Sequence, residues 1–112
     1  MGVAEAVALC KKTGIDPAKM REELLGGCAQ SYVLQNHAKR LIEGTLNPGF
    51  HSVLMHRDMK LAVQAGRDAG AFIPATALGT QLLGALCNTG RAGLDSAALG
   101  LLFQELSGLS AD

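Results

Sequence analysis

Apolar residues recur along this chain at intervals of three and four. No segment alternates apolar with polar in the period of two that a half-buried strand requires. Glycine and proline divide that helical pattern into pieces. Val3, Val7 and Cys10 lie on the first piece, which Gly14 closes after Lys11 and Lys12, as a helix C-terminus prefers. Asp16 followed by Pro17 reads as an N-cap and a first-turn proline, opening a helix through Leu25 that Gly26-Gly27 stops. Val33, Leu34, His37, Leu41 and Ile42 predict a third helix from about Ala29 or Ser31 to Glu43. Residues 44–50, GTLNPGF, are turn chemistry, with Pro48 fixing its own φ and Gly49 free to take a positive one. Ser52 is placed to cap the next helix, running to about Ala69, where Gly70 ends it. Ala71 to Pro74 cross over in extended form, because the residue before proline disfavours the α region. Leu78, Leu82, Leu83 and Leu86 share a stripe on a helix from about Ala75 to Asn88. Thr89 to Leu94 form a loop, and Asp95 is placed to cap a last helix through about Leu106. The expectation is an all-α fold, one domain of about six helices.

Composition narrows the function classes. The 112 residues are 48% hydrophobic and 18% charged, with ten basic side chains against ten acidic ones. That is too apolar for a disordered tail. It also leaves no cationic excess for nucleic acid or an anionic membrane. The length is too short for a nucleotide-binding domain plus a substrate domain. Cys10, Cys28 and Cys87 are odd in number and contain no CxxC pair, so they read as reduced, buried thiols rather than a disulfide or zinc framework. No apolar run approaches the roughly 20 residues of a membrane span. Glu5, Lys11 and Lys12 interrupt any signal core, which makes the cytoplasm the expected compartment. Aromatic residues are 4% with no Trp, so Leu, Ala, Val and Ile must build the core. The first helix has Glu5 as its only charge before Lys11, whereas a surface helix at a chain start shows water a polar face. It reads as cut from a longer helix.

Searches for self-contained chemistry return little. There is no GxGxxG after a strand, no GxxxxGK[ST] and no GxSxG. His51 and His56 stand five apart without HExxH, so no metal site is expected. Glu22-Glu23 read as solvated acids. One cluster stands out: Gly49-Phe50, then Arg57-Asp58-Met59, then Leu61-Ala62. A cation in the early turns of a helix opposes the macrodipole, whereas Asp58 there is favourable, so Arg57 points to a task outside its own helix. Phe50 on its own reads as a residue packing under the turn.

In this cluster the chain resembles the β-hydroxyacid dehydrogenases. PGFHSVLMHRDMKLAVQAG is similar to the family's PGF, six residues, then KDL-x-LA. GGCAQSYVL resembles its GG-x-A-x-S-x-x-L segment, FIPATALGTQLLGAL its LP-x-TA-x-x-x-x-L helix, and GLDSAAL its GxxDxSAL ending. The similarity covers nearly the whole chain in the same order.

The resemblance implies the C-terminal all-α substrate and dimerisation domain, residues 1–112, with a fold like the 6-phosphogluconate dehydrogenase C-terminal domain. The family's N-terminal Rossmann domain, with GxGxMG and the GxxxKxxNN catalytic lysine, has no counterpart in this chain. No catalytic residue is therefore expected here, and no dehydrogenase activity of the chain alone. The intact enzyme would use NAD or NADP, which this chain alone would not bind. It would interconvert a small carboxylate-bearing aldehyde and its hydroxy acid, tartronate semialdehyde by slight preference, as 3-hydroxyisobutyrate dehydrogenases and 2-hydroxy-3-oxopropionate reductases do. Carried over by motif, Phe50 borders the substrate cleft, Arg57 takes the place of the cofactor-contacting KDL lysine, and Asp58 matches that motif's aspartate at the cleft. Arginine keeps the charge but replaces a compact ammonium with a planar fork. His56 and Lys60 are expected to be exposed, and Cys28 and Met55 to lie in the core. A homo-oligomer, in the first instance a dimer, is the expected assembly. A self-associating helical interaction domain without catalysis is the competing reading.

Overall fold

A computed structural model describes residues 1–110. Six α-helices follow one another among these residues: α1 (Gly2–Thr13), α2 (Pro17–Leu25), α3 (Ala38–Glu43), α4 (Ser52–Ala69), α5 (Pro74–Leu86) and α6 (Leu99–Leu106). There is no strand among them, only one isolated bridge between His51 and Asp95. The all-α expectation holds. None of these helices is long and apolar enough to cross a membrane.

The predicted helix boundaries are mostly met by the predicted chemistry. Asp16 accepts the N–H of Ala18 at 2.9 Å and Pro17 is the first helical residue of α2. Gly14 ends α1 in the left-handed region (φ 76°) and returns its N–H to the Cys10 carbonyl. The segment before α3 differs from expectation, because Val33–His37 is a single wide π turn leading into α3. Arg21 of α2 donates from Nε to the Leu34 carbonyl (3.1 Å) and from Nη2 to the Gln35 carbonyl (2.6 Å). A π turn misaligns carbonyls within its ladder, and a neighbouring guanidinium satisfies two of them here.

The chain divides into two compact units. The first combines Met1–Leu46 with the residues from Ala97 onward. In it α1 packs on α6, and α2 and α3 pack with α1. Ala4, Val7, Ala8 and Cys10 of α1 are buried, with Leu34, Ala38, Leu41 and Leu102. Each fully buried Val or Leu contributes about 1.5–3 kcal/mol, so this small aliphatic core suffices for one layer of helices. Lys11 Nζ donates to the buried Gln104 Oε1 at 2.7 Å, tying α1 to α6 with a charged donor. Of the three thiols, only Cys10 meets the expectation of burial; Cys28 is exposed and Cys87 partly exposed. Cys28 follows Gly26-Gly27 in a non-helical segment, with no apolar face around it.

The second unit, Asn47–Ser96, holds the candidate site. Its frame is the α4–α5 hairpin. Ser52, His56, Met59, Val63 and Gly66 make the inner stripe of α4 at helical spacing. Missing side chains set two close approaches in the hairpin. A Cβ on Gly84 would lie 3.1 Å from His56 Nε2, and one on Gly66 would strike the Ile73 side chain. Leu83 and Leu86 of α5 are buried and Leu82 is half-buried.

Candidate functional site

The site begins in the loop before α4. Ser52, read from sequence as a helix cap, does something else, and Asp95 also reaches a segment far from its own helix. Ser52 is the first residue of α4, and the cap position falls on His51, which makes no side-chain cap. The Ser52 hydroxyl donates toward the Leu94 and Asp95 carbonyls, each at 3.0 Å. Asp95 is 2% exposed, and its Oδ2 accepts the N–H of Gly49 at 2.8 Å and of Phe50 at 3.2 Å. Both side chains thus make contacts more than forty residues away in sequence. Gly49 needs no positive φ, which in this chain belongs to Gly14, Gly44, Gly70, Gly90 and Gly108. The loop is held by the buried carboxylate, not by the glycine's conformational freedom.

The N-terminus of α4 is closed in the same way. Ser52 N donates to the Leu94 carbonyl (2.8 Å) and Val53 N to the Ala92 carbonyl (3.0 Å). These first-turn donors are the ones a helix otherwise offers to an anion, and here backbone oxygens consume them. These two backbone donors are therefore not open to an anion, and the cations of this region are on side chains.

Arg57 and Asp58 follow one turn later. Arg57 donates to Asp58 Oδ1 from Nε (3.0 Å) and Nη2 (2.8 Å). The pair is open to water, with side-chain exposures of 60% and 45%, so it adds little to stability. Adjacent helical residues do not ordinarily face each other. Here the guanidinium folds back over its neighbour and puts both donors on one oxygen. Nη1 takes no hydrogen bond among the described residues. Arg57 sits on the outer stripe of α4, away from α5, with Val53 and Leu61 four residues to either side. Those two apolar side chains are 45% and 64% exposed. Phe50 is half-buried in the loop that leads into this helix.

His56 differs from expectation. Its ring lies against Gly84 and is partly covered, whereas Lys60 is exposed as predicted. Met55 is only half-buried. No group of three or more metal-ligating side chains occurs among the described residues. Sequence reasoning missed Asp95 as a site residue. The available signal was an acid directly before an apolar helix, which reads equally well as a cap.

Loop and helix together make an all-α scaffold that presents an aromatic residue, a cation and an acid from one rigid junction. The chain belongs to the family described as NAD-binding of NADP-dependent 3-hydroxyisobutyrate dehydrogenase, whose model matches residues 1–102. It is 37% identical over 97 residues to 2-hydroxy-3-oxopropionate reductase of Escherichia coli (strain K12), covering 87% of this chain and 33% of that protein. It is 31% identical over 111 residues to 2-(hydroxymethyl)glutarate dehydrogenase of Eubacterium barkeri, covering 96% and 36% respectively. The crystal structure of 3-hydroxyisobutyrate dehydrogenase from Salmonella typhimurium superposes with a TM-score of 0.86 at 20% identity, over 91% of this chain and 36% of that one. That structure bears on the fold alone. The chain spans about a third of the length of each of these proteins.

Proposed function

We propose that residues 1–112 act as the C-terminal all-α domain of an NAD(P)-dependent β-hydroxyacid dehydrogenase, paired with a dinucleotide-binding Rossmann domain and assembled as a dimer in the cytoplasm. The observation that carries this reading is the outer stripe of α4. Arg57 stands there exposed between Val53 and Leu61, seven residues beyond the pinned Phe50, in a chain of the matching family.

The residues present fit such a cofactor. A guanidinium with an unused Nη1, flanked by apolar side chains, suits a ribose, phosphate or carboxylate lying along a partly dry surface. The nicotinamide supplies the hydride chemistry when bound, and the protein supplies position and field. Arg57 holds polar groups of cofactor or substrate. Asp58 fixes the plane of that guanidinium through its two donors. Phe50 keeps water from one side of the cleft. The substrate is a small carboxylate-bearing aldehyde, with tartronate semialdehyde first in line because the reductase from Escherichia coli carries that substrate class in its name. The choice between NAD and NADP lies in the dinucleotide-binding domain.

The test is a hybrid in which this chain replaces the matching third of the Escherichia coli reductase. The expected result is reduction of tartronate semialdehyde by the hybrid and none by the isolated chain. A soluble but inert hybrid, or turnover by the isolated chain, overturns the reading. An in-frame upstream segment carrying GxGxMG and GxxxKxxNN at the encoding locus would agree with it.

The competing reading, a self-associating interaction domain without catalysis, draws on Phe72, 93% exposed at the α4–α5 turn, and on Leu78 of α5. It predicts an inert hybrid. Light scattering that shows a clean monomer at high concentration counts against both readings.

A further inference from the structure

We infer that Asp95 is the positioning residue for Phe50, fixing the direction of the aromatic ring at the cleft; this rests on the dehydrogenase reading above. Three observations carry it.

The first is the bonding of the Phe50 backbone. Its N–H is held by Asp95 Oδ2 and its carbonyl accepts the N–H of Ser96 at 2.9 Å. Consecutive residues of one strap therefore hold both peptide groups that flank the Phe50 Cα. With both planes fixed, φ and ψ at Phe50 are set and the Cα–Cβ bond has one direction.

The second is the chemistry of the anchor. Burying a carboxylate is costly unless it is hydrogen-bonded, and a neutral side chain would tie a surface loop at lower cost. Two amides converge on a single carboxylate oxygen, the Gly49 bond at 2.8 Å being the shorter and the Phe50 bond at 3.2 Å the longer. Pro48 has no N–H, so it can donate no backbone bond to hold the turn in which Phe50 sits.

The third is that the strap is itself braced. The Ser52 hydroxyl reaches the Leu94 and Asp95 carbonyls, and the N–H groups of Ser52 and Val53 reach the Leu94 and Ala92 carbonyls. The element that aims Phe50 is thus locked to the start of the helix that carries Arg57. Asp95 acts through Phe50, and it keeps the ring and the guanidinium in register.

The experiment uses the 112-residue chain, isotope-labelled, with amide exchange read residue by residue. Asp95→Ala is expected to speed exchange at Gly49 and Phe50 by about tenfold or more, while Leu83 and Leu86 amides stay protected. Asp95→Asn, which keeps a neutral acceptor, is expected to speed it only about threefold. It also serves if the alanine variant does not fold. Unchanged exchange at Gly49 and Phe50 in either folded variant overturns the clamp.

Function is read in the hybrid reductase. Asp95→Ala is expected to lower kcat/KM about tenfold alone and less than about twofold when Phe50→Ala is already present. Equal effects in both backgrounds overturn action through Phe50. An inert hybrid in a chain whose Asp95→Ala variant still releases both amides overturns the dehydrogenase reading and leaves the clamp standing.

Discussion

Gly100 offers a sharp test of the packing in the first unit. It is buried in the first turn of α6, and a Cβ built there would stand 2.7 Å from Leu41 Cδ1 and 2.9 Å from Leu41 Cγ. Because Cγ itself is too close, swinging the methyl groups of Leu41 does not relieve the contact. Leu41 is buried, so its neighbours must move with it. Overpacking of this kind costs about 1–3 kcal/mol. Replacing glycine with alanine in a helix returns up to about 1 kcal/mol through propensity. Gly100→Ala should therefore lose about 1–2 kcal/mol. Leu41→Ala alone should lose about 2–5 kcal/mol by opening a cavity. In that background the three Leu41 atoms nearest the new Cβ are gone, so Gly100→Ala keeps its propensity gain, partly fills the void and should stabilise by about 1 kcal/mol. The sign reversal corresponds to a coupling of about 2–3 kcal/mol, read from urea denaturation of the four proteins of the cycle by circular dichroism. If Gly100→Ala stabilises the parent chain, or if the two substitutions add within about 0.5 kcal/mol, the close approach of α6 and Leu41 is refuted.

Two further outcomes follow from single residues. Arg57→Ala should change folding stability by less than about 0.5 kcal/mol, because its ion pair is exposed, yet lower kcat/KM of the hybrid reductase about 10–100-fold, with Arg57→Lys restoring most of it. A large stability loss with unchanged kinetics would make Arg57 structural. Gln104 is 2% exposed, with Oε1 on Lys11 and Nε2 lacking a partner among the described residues. Gln104→Met keeps the volume and removes the unpaired donor, so thermal unfolding should show it within about 1 kcal/mol of the parent, whereas Gln104→Ala should lose about 2–3 kcal/mol.

The parts of the fold that were legible in the sequence are those decided within a few residues. Asp16-Pro17 opens α2, Gly14, Gly44 and Gly70 close their helices in the left-handed region, and Pro74 opens α5. Each is a local steric or hydrogen-bonding fact that needs no knowledge of the rest of the chain. Arg57, read from sequence as a charge set against its own helix dipole, is the sixth residue of α4, beyond the first turn where that dipole acts. The destinations of Ser52 and Asp95 were not. A Ser or Asp before a helix can bond a distant segment as well as its own first turn, and the distant partners here lie more than forty residues away. His56 became a packing residue because Gly84 leaves room for its ring, a vacancy its own neighbours do not encode. The π turn at Val33–His37 depends likewise on Arg21 arriving from α2. Family motifs supplied what periodicity could not, because a motif retains the long-range pairing that a window of ten residues omits.

The division of α4 into two faces explains how a chain this poor in aromatic and charged residues presents a polar site. Its inner stripe ends in Gly66 and carries His56 against Gly84, so α4 and α5 approach closely and the hairpin needs no contribution from the opposite face. The outer stripe is left without a packing duty inside its own unit. Yet it holds Val53 and Leu61, 45% and 64% exposed, on either side of Arg57. Full burial of a Val or Leu is worth about 1.5–3 kcal/mol, so a surface covering both would gain on the order of 2 kcal/mol from them. The same cover would exclude water from the guanidinium. The attraction between Arg57 and an anion 4 Å away grows from about 1 kcal/mol in water to about 4 kcal/mol at the effective dielectric of a protein surface. Closure on this face would thus be driven by the two aliphatic side chains and would strengthen the cation between them. A lone exposed arginine cannot achieve that coupling, so under the proposed dehydrogenase reading the stripe, rather than Arg57 by itself, is the binding unit.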